Sequence, residues 1–454
     1  MDRYAGAGES YHRRLREVYR FVIPPGQKVL EIGCGNGDLL AALEPGRGVG
    51  VDFSPAMITL AEKRHPVLCF LCADIHDLDI EETFDFIILS DLVNDLWDVE
   101  EALKRVKKLC HPSSRLVFNS YSRLWEVPLS MVRRLGLAKP NLYQNWLTVQ
   151  DIRGLLHLAD FEVIRNWEEV LCPLSLPGIR TFFNRYLAKI WPFRWFHLTH
   201  IIVARPAAIA RMDQYEPKVS VIVPARNEAG NIAEIIRRIP EMGGGKEIVF
   251  VEGNSTDETW QVIEETIKNT PERDCRAFRQ RGSGKGDAVR LGFEKAKGDI
   301  LMILDADMTV PPEDLPRFYD VLVSGKGEFV NGVRLVYPME KEAMRFFNLI
   351  GNKFFSLAFS WLLGQPIKDT LCGTKVLWKK DYERIAANRN YFGEFDPFGD
   401  FDLLFGAAKL NLKICEVPIR YRERTYGDTN ISRWRHGWLL LRMVIFAVRR
   451  IKFF

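Results

Sequence analysis

Several familiar classes of protein are excluded by what this sequence lacks. Its 454 residues hold only eight cysteines, dispersed along the chain. That scatter predicts free thiols in a reducing cytosol and excludes a disulfide scaffold. Cys69 and Cys72 have zinc-like spacing, but no second pair stands nearby. They fall in a predicted core strand, so packing is their expected role. No internal repeat or low-complexity tract is present. The first twenty residues lack an apolar core, which predicts no secretory signal. A strong charge excess is missing too: 63 basic residues face 59 acidic ones, a net +4. That balance gives no reason to expect a nucleic-acid partner.

What remains is a globular chain. Hydrophobic residues make up 47% of it. A length of 454 residues predicts two domains of about 200 and 240 residues, each able to bury a full core.

The most informative stretch is 301–307, Leu-Met-Ile-Leu-Asp-Ala-Asp. Four apolar residues predict a buried strand, and Asp305 and Asp307 stand at its carboxyl end. Side chains alternate along extended backbone, so both carboxylates are expected on one face. Two anions so placed call for a cation, and hard oxygen ligands suit Mg²⁺ or Mn²⁺. Such an ion binds a diphosphate and neutralises its charge on departure. Taken alone, such a pair is more often a solvated acidic turn; its neighbours decide otherwise.

Those neighbours are an apolar strand at 218–224 closed by Pro224 and followed by Ala-Arg-Asn-Glu, and a second strand at 247–251 ending in Glu252. A glycine loop, Gly282–Gly286, carries Lys285, and its free amides can approach phosphate. A helix is expected over 287–297. Strands alternating with helices, polar residues gathered at strand ends, describe an α/β sheet with a ligand in that crevice.

Residues 218–432 resemble family 2 glycosyltransferases of the GT-A fold, in particular the dolichyl-phosphate mannose synthase type. The resemblance implies nucleotide-side contacts from Pro224, Arg226 and Glu228. Glu252 stands where the family has an aspartate; Gly253 and Asn254 depart from that turn, which leaves the base open. Asp305 and Asp307 match the metal motif. Arg424, in Arg-Thr-Tyr-Gly-Asp, matches a loop whose arginine grips the donor diphosphate, as bidentate guanidinium suits. Asp369 matches a segment bordering the sugar and phosphate pocket, and Lys368 and Lys375 flank it, within reach of a lipid phosphate. Asp400 and Asp402 are candidates for a general base or for binding acceptor or sugar. The implied reaction is inverting transfer from a nucleotide sugar to a polyprenyl phosphate. That acceptor is already anionic, so alignment and leaving-group stabilisation matter more than a base. A soluble glycan acceptor is the alternative, and it requires a carboxylate base.

The amino-terminal half carries a different pattern. Residues 28–37 read Lys-Val-Leu-Glu-Ile-Gly-Cys-Gly-Asn-Gly, a strand running into a glycine turn. Glycines there let a ligand press against the backbone. A dinucleotide fingerprint wants glycine at position 38, which Asp38 occupies. A second strand at 48–51 ends in Asp52, a third at 67–72 ends near Asp74, and a fourth at 84–89 ends at Ser90 and Asp91. Strand-ending acids in this order resemble class I S-adenosylmethionine-dependent methyltransferases over 1–206. The resemblance implies that Gly33 and Gly35 border the methionine part of the cofactor, with Glu31 a further cofactor-site residue in register with Asp52 and Asp74. Asp52 would hold its ribose, Asp74 and Ile75 flank adenine, and Ser90 face the sulfonium. Tyr11, His12, Asn94, Asp95 and Trp97 are the candidates for the methyl acceptor's pocket, each equally a structural residue.

The expected architecture is therefore α/β throughout: a Rossmann-like methyltransferase sheet (1–206), a linker (207–217), a GT-A domain (218–432) and a basic amphipathic interfacial helix (433–454). Segments 343–364 and 438–448 are apolar but interrupted by charge, and neither reaches the roughly twenty uncharged residues of a spanning helix. Both are expected in the headgroup plane of an anionic membrane, with a buried helical hairpin as the alternative for 343–364. The aromatic, basic segment 172–197 is either a third such patch or a surface against the second domain. Together these readings predict a two-activity enzyme, peripheral to the cytoplasmic membrane face, using Mg²⁺ or Mn²⁺ and S-adenosylmethionine. In the competing reading the first domain binds its cofactor without turnover.

Overall fold

The computed structural model of the chain describes residues 5–134, 144–172, 179–208, 215–334, 336, 346–389, 399–422, 424, 426 and 433–454. The chain divides into two compact units, the first Met1–Ala207 together with Phe453–Phe454, the second Ala208–Lys452.

The first unit is built on seven strands: β1 (Lys28–Ile32), β2 (Arg47–Asp52), β3 (Cys69–Cys72), β4 (Phe84–Leu89), β5 (Cys110–Tyr121), β6 (Phe161–Glu169) and β7 (Thr199–Pro206). Their order is β3-β2-β1-β4-β5-β7-β6. Strands β1 to β5 run parallel, and β7 lies antiparallel to both of its neighbours. The near-continuous apolar runs of β1 and β4 suit a sheet covered on both faces. One apolar cluster, with Leu30, Ile87 and Leu103, covers one face. On the other lie Val29, Ile88 and Tyr19, the last from the helix Ala5–Val22. The order reverses between β1 and β4, which opens a crevice at the strand carboxyl ends. One expectation fails here. β3 is a short edge strand paired only with β2, so Cys69 and Cys72 are exposed, not core packing residues.

The second unit also has seven strands: β8 (Val219–Ala225), β9 (Lys246–Glu252), β10 (Cys275–Arg279), β11 (Ile300–Ile303), β12 (Phe329–Val333), β13 (Lys375–Trp378) and β14 (Ile414–Pro418). They are ordered β10-β9-β8-β11-β13-β12-β14. Only β13 runs against its neighbours; the other pairs are parallel. Both units thus have the mixed α/β form expected, a Rossmann-like sheet and a GT-A sheet.

The apolar segments of the second unit, expected in the headgroup plane or, for 343–364, as a buried hairpin, each bury one face in the domain. The helix Phe346–Leu363 buries Phe355, Phe359 and Leu362, and the helix Arg433–Ala447 buries Leu440, Met443 and Ala447, all in one cluster. Their spacing of three, four and seven residues makes a single inward stripe on each helix. Phe359 stacks on Phe405 at 5.5 Å, and truncating such a buried ring costs about 3–5 kcal/mol. Their opposite faces are not core: Leu357 and Trp438 are each 64% exposed, and Phe354 and Ile445 are exposed beside them. Half of each helix therefore builds the domain. Among the described residues no helix is long and apolar enough to cross a membrane. Residues 343–345 and linker residues 209–214 lie outside the described residues, as do the side chains of 346–350 and 433–437.

Candidate functional site

In the second unit the polar residues converge because β8, β9 and β11 are parallel and end at one edge. β11 stops at Ile303, one residue short of the expected strand. Leu304 still donates to Ile222 O at 3.0 Å before the chain turns away. Asp305 and Asp307 therefore sit in a turn, not on extended backbone. Asp307 accepts from Thr309 N at 3.1 Å and Thr309 Oγ1 at 2.8 Å, and Met308 adopts a positive φ of 56°. Strand alternation is thus not what places the two carboxylates; this side-chain-capped turn is.

Each carboxylate meets a different cation. Lys285 Nζ lies 2.5 Å from Asp305 Oδ1. Burial opposes the lysine's charge, but Asp305, Asp400 and Asp307 outweigh it and hold its pKa above the ordinary value. Arg424 donates to Asp307 Oδ2 and to Glu228 Oε1, both at 2.9 Å. Glu228 is buried just past β8; burial lifts its pKa to about 7, with Arg424 pulling it down and Asp307 pushing it up. Asn231 Nδ2 holds its second oxygen at 2.8 Å. Glu228, Lys285, Asp305, Asp307 and Arg424, distant in sequence, form one charged network.

The remaining candidates divide. Pro224 is half-buried within β8 and Arg226 is exposed beyond it. Glu252 is buried at the end of β9 and accepts from Ser255 N at 2.5 Å, closing its own turn. Asp400 and Asp402 open the helix Asp400–Lys409, and two residues apart on a helix they face different ways. Asp400 approaches Lys375 at 3.3 Å and adds to the field at Lys285, whereas Asp402 pairs with Arg389 at 2.9 Å. Lys375 is wholly buried, donating to Cys372 O at 2.5 Å. That corrects its expected role beside a lipid phosphate. Lys368 stays exposed. Asp369 is buried and clamps Arg334 through two bonds of 2.7 and 2.8 Å, with Leu371 N at 3.0 Å. Arg334 and Gly373 were not found from sequence. A Cβ on Gly373 would overlap both Asp305 Oδ2 and Lys285 Nζ, a requirement no sequence pattern carries.

Among the described residues no three His, Cys, Asp or Glu side chains gather into a metal cage. Asp305 and Asp307 still fit Mg²⁺ or Mn²⁺ by donor chemistry, because such ions keep ligands for substrate phosphate and water.

In the first unit Gly33, Gly35 and Gly37 all adopt positive φ, 75°, 53° and 76°. Side chains close this turn off: a Cβ at Gly37 would come within 2.7 Å of the Phe70 ring. Asp52 accepts from Gly35 N and Ser54 N, both at 2.9 Å, so the turn and the end of β2 fix each other. Glu31 is buried with Oε2 unpartnered, and burial lifts its pKa to about 8. This glycine cradle, flanked by carboxylates, fits S-adenosylmethionine. Asp74 accepts from His76 N at 2.9 Å and Nδ1 at 2.7 Å, which lowers its pKa; Ile75 beside it is buried.

Ser90 Oγ lies 3.3 Å from Asn119 Oδ1. Next to it Asp91, at φ 54°, accepts from Tyr11 Oη at 2.6 Å and Asn119 Nδ2 at 2.5 Å, and Tyr19 donates to Asn119 at 2.8 Å. Tyr19 and Asn119 were missed from sequence, since they read as ordinary core positions. Of the acceptor-pocket candidates, Tyr11 is thus brought beside Ser90, whereas His12 is exposed, Trp97 is 96% exposed, Asn94 is tied to Asn145 O and Tyr121 N, and Asp95 accepts from Gln144.

With this geometry in hand, comparison with known proteins gives two domain matches. Residues 220–385 match the glycosyl transferase family 2 model, and residues 23–160 match a methyltransferase domain model. The dolichol-phosphate mannosyltransferase of Pyrococcus furiosus is 30% identical over 220 residues, covering 47% of this chain and 59% of that protein. Glycosyltransferase AglJ of Haloferax volcanii is 29% identical over 224 residues, covering 49% and 69%. The undecaprenyl-phosphate 4-deoxy-4-formamido-L-arabinose transferase of Pseudomonas aeruginosa is 27% identical over 228 residues, covering 48% and 61%.

Proposed function

From a chain that carries a methyltransferase domain and a glycosyl transferase family 2 domain, we propose an enzyme that moves a sugar from a nucleotide donor to a polyprenyl phosphate. The observation that carries this reading is the pairing of Asp305 with Lys285 and of Asp307 with Arg424 at one sheet edge. The similarity to a dolichol-phosphate mannosyltransferase and to an undecaprenyl-phosphate arabinose transferase supports the lipid-phosphate acceptor.

Asp305 and Asp307 would hold Mg²⁺ or Mn²⁺, which supplies charge neutralisation on the departing diphosphate. Lys285 and Arg424 bind diphosphate oxygens, the lysine as a point charge and the arginine through its fork. Glu228 and Asp307 aim the Arg424 guanidinium before donor arrives, so little reorganisation accompanies the reaction. Glu252, with Pro224 and Arg226, lies on the nucleoside side. Arg334 is held by Asp369, which fixes the segment bordering the sugar and phosphate pocket, and the exposed Lys368 is left as the candidate cation for the acceptor phosphate. Asp400 tunes the lysines at the pocket floor, and Asp402 is spent on Arg389. Inversion follows from direct attack by the lipid phosphate.

The methyltransferase domain would bind S-adenosylmethionine, which supplies an electrophilic methyl group. Asp52 orients its ribose, the Gly33–Gly35 turn admits its methionine part, Glu31 stands behind that turn, and Asp74, Ile75 and Ser90 bound the rest. The exposed faces of the helices Phe346–Leu363 and Arg433–Ala447, with Arg442, Arg449 and Arg450 outward, rest on an anionic membrane surface at the cytoplasmic side.

The test is a donor screen with a short-chain polyprenyl phosphate and Mg²⁺ or Mn²⁺, read by mass spectrometry. One sugar-phospholipid product is expected, lost on chelation and lost in Asp305→Asn and Asp307→Asn. Full turnover in those variants would sink the reading. Release of S-adenosylhomocysteine with candidate acceptors separates methyl transfer from cofactor binding alone.

A further inference from the structure

A surface on the methyltransferase domain takes no part in the sugar-transfer reading. Two segments leave its sheet at the same place, because Tyr121 at the end of β5 pairs with Thr199 at the start of β7. The first, after β5, exposes Leu124, Val127 and Met131. The second, before β7, exposes Trp191 (67%), Trp195 (61%) and Phe196. Trp125 Nε1 donates to Phe196 O at 3.2 Å and Ser122 N to Leu198 O at 2.8 Å, so the two are stitched into one surface. The rings of Trp191 and Trp195 meet edge to face at 6.5 Å, within the range of a favourable aromatic pair.

Large apolar side chains clustered in water need a partner. The charges beside this cluster say which. On the two segments, Arg123, Arg134 and Arg194 border it; among the described residues of those segments the acid is Glu126, 3.9 Å from Arg123, with Glu168 of β6 near His197. A symmetric dimer through this face would set these arginines against their own copies, at a cost. Anionic headgroups complement them, and tryptophan and phenylalanine beside arginine are what a headgroup boundary accommodates.

We infer that this aromatic face docks the methyltransferase domain on an anionic lipid bilayer. The docking edge is also the carboxyl edge of β1, β2 and β4, where Gly33, Asp52 and Ser90 lie. The cofactor crevice then opens toward the membrane. This goes beyond the proposed sugar transfer, which uses the other domain's helices.

The experiment sediments the full chain with vesicles of phosphatidylcholine, with and without phosphatidylglycerol, at low and high salt. Trp191→Glu/Trp195→Glu is expected to lower partition onto the anionic vesicles on the order of tenfold or more, and Trp191→Phe/Trp195→Phe to retain it. Both side chains are exposed, so melting curves should match the parent. Sugar transfer to detergent-dispersed acceptor should also match it, which keeps the two readings distinguishable. Unchanged partition in the glutamate variant overturns the inference. So does a concentration-dependent dimer, seen by sedimentation velocity without lipid and abolished by that variant.

Discussion

Lys285 Nζ stands 2.5 Å from Asp305 Oδ1, and Gly373 passes so close that one added methyl group would strike both atoms. Gly373→Ala should therefore leave the fold nearly intact, since the Asp305 carboxylate group and the end of the Lys285 side chain must move but the nearest atoms include no backbone. It should nonetheless lower kcat/KM for sugar transfer by about 10²-fold, the scale expected from a small misplacement of reacting groups. Parent-like kinetics with an unaltered melting curve would contradict the role given to this pair.

Arg424 bridges Glu228 and Asp307 at 2.9 Å each. Arg424→Lys retains the charge but cannot make both bonds with fork geometry. It is expected to lose most of what Arg424→Ala loses, on the order of 10²–10³-fold in kcat/KM. Steady-state kinetics with varied donor decide; a fully active lysine variant would argue for charge alone.

Glu228 supplies a pH dependence. Its pKa is raised to about 7 in the folded protein, chiefly by burial. Above that pH the carboxylate is charged and aims Arg424; below it the proton removes that partner. Donor kcat/KM should rise as pH increases through about 7, and Glu228→Gln should flatten this limb. A profile that stays unaltered in the glutamine variant would assign the limb elsewhere.

Glu31 makes a prediction about stability. Burial raises its pKa from 4.5 to about 8. The unfolded chain therefore releases this proton before the folded one does. The stabilisation it reports is complete below pH 4.5 and is lost as pH rises through about 8. The loss is at most roughly 5 kcal/mol at 1.36 kcal/mol per pKa unit. In cofactor-free protein, the melting transition of the methyltransferase domain should fall between pH 6 and pH 9, and fall less in Glu31→Gln. Equal declines in both would show that another group titrates.

Much of this protein was legible before any coordinates. The apolar runs ending in Asp52, Ser90, Glu252 and Asp305 fixed the strands, since a buried parallel strand must be apolar and must end where polar ligand groups begin. The glycines at 33, 35 and 37 announced their turn because each needs a positive φ. The cysteine pair at 69 and 72 misled, because local sequence does not distinguish an edge strand from a central one. Lys375 misled in the same way: its neighbours in sequence border the pocket, but its own side chain points into the core.

The sequence alone determined two α/β units, their strand-ending acids and the glycine turns, because hydrophobic period and backbone sterics act over a few residues. Only the tertiary structure decided which charges meet. Arg424 reaches Glu228 across 196 residues and Asp307 across 117, and Asp369 takes Arg334 as its partner. Those pairings depend on strand order and on side-chain direction at the sheet edge, and neither is written in any single stretch of chain.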